Sequence, residues 1–181
     1  MRAAGGRIIR CVLLRRRNLP WFLAAVLAVM AGRSALGGGG RPASGHTQNA
    51  TVVRVVDGDT VVARLSDGRF ERVRYIGMDT PEDVKPGVPV QCFSLRAAAA
   101  NRQLVSGRAV KLVPGVESRD RYGRLLAYVY RRSDGLFVNE DLVRRGFARP
   151  LTIPPNDRYA GAIARLAAQA RQAGRGLWAS C

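Results

Sequence analysis

A chain of 181 residues with a formal net charge of +17 has room for one compact domain and a tail, and its single histidine excludes His-rich zinc sites and argues against histidine-based triads. Eight arginines and no acid precede position 49, which leaves 22 of the 30 basic residues against all 13 acids, a balance that favours polyanions such as nucleic acid or an anionic surface. The body's excess is almost all arginine, Lys85 and Lys111 being its only lysines, and a GC-rich coding bias yields the same enrichment, so charge alone selects no function.

The first segment reads as an address. A basic stretch ends in RRRNLP, and an apolar run, WFLAAVLAVMA, fills residues 21–31. A membrane span needs ~20 residues, whereas a signal-peptide core needs ~7–15, so the run fits export better. Arg16 and Arg17 give a weak twin-arginine pattern, and no clean A-x-A site closes the run. Residues 1–33 are therefore expected to be a signal peptide or an uncleaved amino-terminal anchor, and residues 34–48 a Gly-rich flexible linker. The location expected is secreted or periplasmic and cell-envelope, membrane-anchored if the leader is kept. The body is taken as residues 49–181 and as a monomer.

Within the body, TVVRVVDGDTVVARLSDGRFERVRYIGM (51–78) reads as three strands, with Asp67-Gly68 as a hairpin signal. A loop rich in proline follows. CFSLRAAAANRQLVSG (92–107) reads as a helix with Leu95 and Leu104 on one face, ended by Gly107. AVKLVPG (109–115) is a strand, SRDRYGR (118–124) a charged turn and LLAYVYRR (125–132) another strand. VNEDLVRRG (138–146) is a short helix, and a longer one starts near Asn156 with Ile163, Leu166 and Ala170 at helical spacing. Five strands with an inserted helix predict an α+β fold built on a five-stranded OB-type barrel. Cys92 and Cys181 are the body's only cysteines; in an exported domain they suggest one disulfide between the chain end and the opening of the first helix, the alternative being two unpaired thiols.

Four pieces carry acids and arginines beyond what strands and turns require: Asp57 and Asp59 in DGDT, Arg74 in RVRYIG, Asp79, Thr80 and Glu82 in DTPE, and Asp120, Arg121, Tyr122 and Arg124 in DRYGR. Each alone has a turn reading, since Asp-Gly and Asp-Thr-Pro are good turn formers. Together they suggest chemistry. Asp59 begins a strand and Asp79 ends one, so a small barrel can bring both carboxylates to one rim. Two carboxylates, a backbone carbonyl and water suit a hard cation, Ca²⁺ in particular. Two arginines match phosphate oxygens, and Glu82 can accept a proton from an attacking water.

DGDT, the arginine five residues before DTPE, DTPE itself and DRYGRLLAYVY, in that order, resemble the staphylococcal nuclease family. FVNEDLVRRGFA and the closing GLW resemble its later helices and tail. The resemblance runs from about Val52 to Trp178 and implies a five-stranded barrel with three helices and a Ca²⁺-dependent nuclease that cuts DNA or RNA to leave 3′-phosphates. It implies Asp59, Asp79 and the Thr80 carbonyl as metal ligands, Glu82 as general base, Arg74 and Arg124 on the scissile phosphate, and Arg121 and Tyr122 on a neighbouring phosphate. Two features depart from the family. ARPLTIPPND (148–157) has no aromatic residue to stack on a base, and the loop after DTPE, DVKPGVPVQ (83–91), carries Lys85 alone. A member of this fold that binds nucleic acid without turnover is the alternative reading.

Overall fold

The computed structural model describes residues 45–82, 87 and 89–181, so the expected leader and most of the expected linker lie outside the described residues. Valine-rich alternation makes the first three strands, β1 (Gln48–Val55), β2 (Thr60–Leu65) and β3 (Phe70–Tyr75). Side chains two apart on a strand share a face, and Val52, Val61 and Val73 all turn inward and are fully buried. β1 begins at Gln48, which pairs with Leu112, so the barrel starts inside the stretch expected to be linker.

β2 and β3 form a hairpin whose turn is held by Asp67: its carboxylate accepts the Arg69 N–H at 3.0 Å and the Arg69 Nε–H at 2.8 Å. β5 (Ala109–Arg119) and β6 (Leu125–Arg131) complete the barrel, which closes in the order β1-β2-β3-β6-β5. All neighbours are antiparallel except β3 and β6, which run parallel with Val73 opposite Leu125. A parallel pair needs a long crossover, and the first helix plus β5 supply it. The fifth strand is longer than expected: it runs through an irregularity between Pro114 and Arg119, which narrows the charged turn to residues 120–124.

Outside the barrel, β4 (Met78–Asp79) pairs with β7 (Arg149–Pro150), placing Asp79 opposite Arg149. Four helical segments follow the barrel's contours: α1 (Ser94–Val105), α2 (Val138–Arg144), α3 (Ala160–Gln172) and the short α4 (Leu177–Ser180), the last formed by the closing GLW segment.

Two sequence expectations fail here. Leu95 is 65% exposed while Leu104 is buried. Nine residues at ~100° per residue put the two half a turn out of phase, so they lie on opposite faces. The buried face of α1 is carried by Ala97, Ala100, Asn101, Leu104 and Val105. The last long helix starts at Ala160, not near Asn156. The Asn156 side chain is buried and engaged elsewhere: it accepts the Glu117 N–H at 3.0 Å and donates to the Glu117 carbonyl at 2.8 Å, satisfying the backbone of β5 at its irregular stretch.

A second buried asparagine ties the helical layer to the barrel. Asn139, at the start of α2, accepts the Val129 N–H and donates to the Ile76 carbonyl, both at 2.9 Å. Cys92 and Cys181 are joined in a disulfide with Cα atoms 6.0 Å apart, linking the chain end to the segment that opens α1.

Candidate active site

The DGDT segment forms the connection from β1 to β2. The Asp57 carboxylate accepts the Asp59 N–H at 3.0 Å, which closes a local turn and starts β2 with the Asp59 side chain directed inward. Gly58 is required by proximity: a Cβ there would lie 2.7 Å from the Thr80 side chain. That approach lets Thr80 seal the turn. Its N–H and its hydroxyl donate to one Asp59 oxygen at 2.8 and 2.9 Å, and the Thr60 hydroxyl donates to the other at 3.2 Å. Asp59 is only 3% exposed.

A buried carboxylate needs compensation by charge or hydrogen bonds. Arg74 supplies charge from β3, where it lies opposite Thr60. One of its terminal nitrogens pairs with Asp59, and the other sits 2.6 Å from Asp79 Oδ1. A single guanidinium therefore spans the two acids that a strand start and a strand end contribute. Asp79, with a side chain 56% exposed, forms the outer edge.

Behind this wall, Asn101 of α1 belongs to the site although nothing in the sequence assigns it there. It donates to the Asp57 carbonyl at 3.0 Å and accepts the Tyr75 hydroxyl at 3.1 Å. The first bond fixes the backbone from which Asp57 and Asp59 project, and the second anchors the amide to the end of β3. The only signal in the sequence is an uncharged polar residue directly after a run of four alanines. Burial pushes the Asp57 carboxyl above its ordinary value, and Arg74, the Thr60 hydrogen bonds and Arg124 oppose the shift.

The second wall is the turn at residues 120–124. Asp120 organises it: one oxygen accepts the Tyr122 and Arg124 N–H groups, both at 2.9 Å, and the other accepts Arg124 Nε–H at 2.7 Å. Gly123, at φ +76°, takes the left-handed conformation the turn requires. Arg119 braces the turn to β3 by a two-pronged pair with Glu71, at 3.0 and 2.7 Å, and a bond to the Gly123 carbonyl at 2.6 Å. This brace is a second feature that the sequence does not announce. Tyr122, 68% exposed, stands between two guanidinium groups, with Arg121 4.9 Å and Arg124 5.5 Å from its ring centre.

Between the walls is a cleft of about 560 Å³ whose lining includes Asp59, Arg74, Asp79, Glu82, Tyr122 and Arg124, with Thr80 at its base. Seven of the eight expected active-site residues thus meet in one place. Arg121 is the exception: it opens onto an adjoining, more apolar depression of about 520 Å³, which shares Arg74, Tyr122 and Arg124 with the cleft and is walled by Leu151 and Ile153. The aliphatic pair occupies the stretch that lacks aromatic residues. Glu82 is held by its backbone: its N–H donates to the Gln91 side chain and its carbonyl accepts the Gln91 N–H, both at 2.9 Å. Arg72, exposed on β3, also lines the cleft and is not anticipated by any motif.

The donor set suits a hard cation. Asp59 and Asp79 already converge on one positive group, and both present oxygen, the ligand preferred by Ca²⁺ and Mg²⁺. Among the described residues no three His, Cys, Asp or Glu side chains cluster in metal-binding geometry, so these two acids would need carbonyl and water oxygens to complete a shell.

Residues 72–180 match the staphylococcal nuclease homologue family. The chain is 41% identical over 127 residues to the thermonuclease of Staphylococcus intermedius, covering 70% of this chain and 74% of that protein. It is 36% identical over 135 residues to the thermonuclease of Staphylococcus hyicus, covering 75% and 78%. Against endonuclease YncB of Bacillus subtilis the identity is 41% over 113 residues, 61% of this chain and 52% of that one. The closed barrel, the paired carboxylates and the arginine turn accordingly belong to a member of the staphylococcal nuclease family.

Proposed function

We propose that this nuclease is an exported, single-chain, Ca²⁺-dependent enzyme that cleaves DNA or RNA to leave 3′-phosphates. The observation that supports it is the meeting of Asp59, Arg74, Asp79, Glu82 and Arg124 in one open cleft. Export rests on the leader pattern at residues 1–33 and anchoring on its retention.

Asp59, Asp79 and the Thr80 carbonyl are the groups that would hold the ion, which when bound supplies positive charge to a phosphate and screens the two acids from one another. The chain's own residues do the rest. Arg74 and Arg124 both line the cleft, one from β3 and one from the turn that leads into its neighbour β6, so a phosphate there can receive N–H groups from two guanidinium groups. For Arg74 this means sharing its N–H groups between the anion and the two acids it now bridges. Arg124 keeps its terminal nitrogens for the anion, because Asp120 engages Nε. The Glu82 carboxylate takes one proton from a water as that oxygen bonds to phosphorus; the bond to the 5′-oxygen breaks, and the departing oxygen is protonated by solvent. The fixed charges act where negative charge accumulates, which is how such sites accelerate phosphoryl transfer.

The test is digestion of heat-denatured DNA by the full chain, titrated with Ca²⁺ and repeated with a chelator. Cleavage that appears with Ca²⁺, vanishes with the chelator and leaves 3′-phosphate ends is the expected result. Tight binding without cleavage at saturating Ca²⁺ would make the protein a binding module instead.

A further inference from the structure

The stretch between Asp83 and Glu117 carries no acid, and neither does the chain after Asp157. These stretches contain α1, α3 and α4, and the structure lays Arg96 and Arg171 from them, with Arg145 and Arg149 from between them, against aromatic rings. Trp178 of α4 lies between Arg149 and Arg171, each with its guanidinium carbon 5.8 Å from the indole. Arg145 lies 4.9 Å from Phe147, and Arg96 lies 5.4 Å from Phe93. The rings of Phe93 and Phe147 stack with centres 5.5 Å apart, and the Leu177 N–H bonds the Gly146 carbonyl at 2.9 Å. The segments that carry the two groups of rings are thus joined through Gly146 and Leu177.

Two of these residues sit on segments that also carry cleft residues: Arg149 is paired across β4–β7 with Asp79, and Phe93 lies two residues beyond the Gln91 that clamps Glu82. Among the described residues no ion pair joins Arg96, Arg149 or Arg171 to a carboxylate. A guanidinium lying on a ring loses little further freedom when it binds, and its N–H groups are not consumed by the ring contact. Such an array fits a phosphate chain better than a lipid surface, because a cation lies over each of its rings.

We propose that this arginine–aromatic strip is a track for the polynucleotide strand as it leaves the cleft, gripping phosphates beyond the one being cut. The track deepens the nuclease reading, on which it rests, and compensates for the scarcity of lysine in the loop after DTPE.

The test separates grip from chemistry. Full-length protein carrying Glu82→Gln is titrated with a single-stranded oligodeoxynucleotide of about 20 nucleotides at several salt concentrations, with and without Arg96→Ala and Arg171→Ala. Removing one phosphate-neutralising cation lowers the slope of log K against log salt by about 0.7 for single strands, so the double change should lower it by about 1.4. With Glu82 intact, the double variant should lose several-fold in kcat/KM on the long strand and nothing on a dinucleotide diester. Arg96→Lys with Arg171→Lys should restore the slope. An unchanged slope overturns the track, as does a slope that lysine does not restore. A loss of binding confined to phosphatidylserine vesicles assigns the strip to membranes and also overturns it. If the parent protein cleaves nothing, the nuclease reading fails while the slope still judges the track.

Discussion

The two walls of the cleft are built on different principles. The acid wall, Asp57–Thr60 with Thr80, is buried and held by partners far away in sequence: Asp59 by Thr80 and Arg74, Asp57 by Asn101. The arginine wall, residues 120–124, is exposed at 121–123, with Asp120 and Arg124 half-buried, and is organised mostly by its own Asp120. A cation site needs fixed oxygens, because clustered carboxylates repel unless geometry is imposed on them. A phosphate grip needs a reach into solvent, and a local turn with one organising acid is enough. The acid wall should therefore respond to changes with altered stability and the arginine wall with altered rate.

Arg124→Ala gives the largest expected effect. By the scale of losing one preorganised donor to a developing oxyanion, kcat should fall about 10²–10³-fold, with the melting temperature nearly unmoved. A thermal melt lowered by many degrees would show that the exposed wall is structural after all. Next is Asn101→Ala. It leaves the Asp57 carbonyl and the Tyr75 hydroxyl without their partner in a buried place, at a cost of about 2–3 kcal/mol in unfolding free energy by denaturant titration. A change under about 0.5 kcal/mol would mean the acid wall stands without support from α1.

Asp120→Asn should be milder. The amide keeps an acceptor for the two backbone N–H groups but loses the charge that aligns Arg124 Nε, so kcat/KM should fall about tenfold, the equivalent of ~1.4 kcal/mol. Lysine at position 124 should not replace arginine in the parent, since Asp120 orients a planar fork.

The smallest effect concerns Asp57. Burial raises its pKa in the folded chain, so the folded state holds the proton more tightly than the unfolded one. Its contribution is then neutral below the ordinary value of 3.8 and becomes a cost as pH rises above it. Asp57→Asn keeps an oxygen to accept the Asp59 N–H and removes that cost, so the variant should be slightly more stable at pH 7 and equal to the parent near pH 3. A variant less stable at pH 7 than the parent would show that Arg74 and Thr60 outweigh burial.

Much of this site is legible from local chemistry. DGDT, DTPE and DRYGR each contain their own turn logic, and the bonds by which Asp120 orders the arginine turn join near neighbours. Legibility ends where partners are distant. Leu95 looks like a core residue until its phase along α1 is counted, and that phase brings it to the outside. Asparagine favours helix starts, which makes Asn156 resemble one. The tertiary fold instead uses its side chain to satisfy Glu117. Nothing local marks Asn101 as an amide that bonds a carbonyl 44 residues away.

By itself the sequence determined the order of strands and helices, the turn chemistry and the inventory of acids and arginines, because those follow from periodicity and from bonds a residue makes with its near neighbours. Only the tertiary structure decided that Arg74 bridges Asp59 and Asp79, that Arg119 braces the arginine turn through Glu71, and that the arginines of β7 and α3 meet on the Trp178 ring. Closing the barrel through the parallel pairing of β3 with β6 converts separation along the chain into proximity. No local preference carries that information.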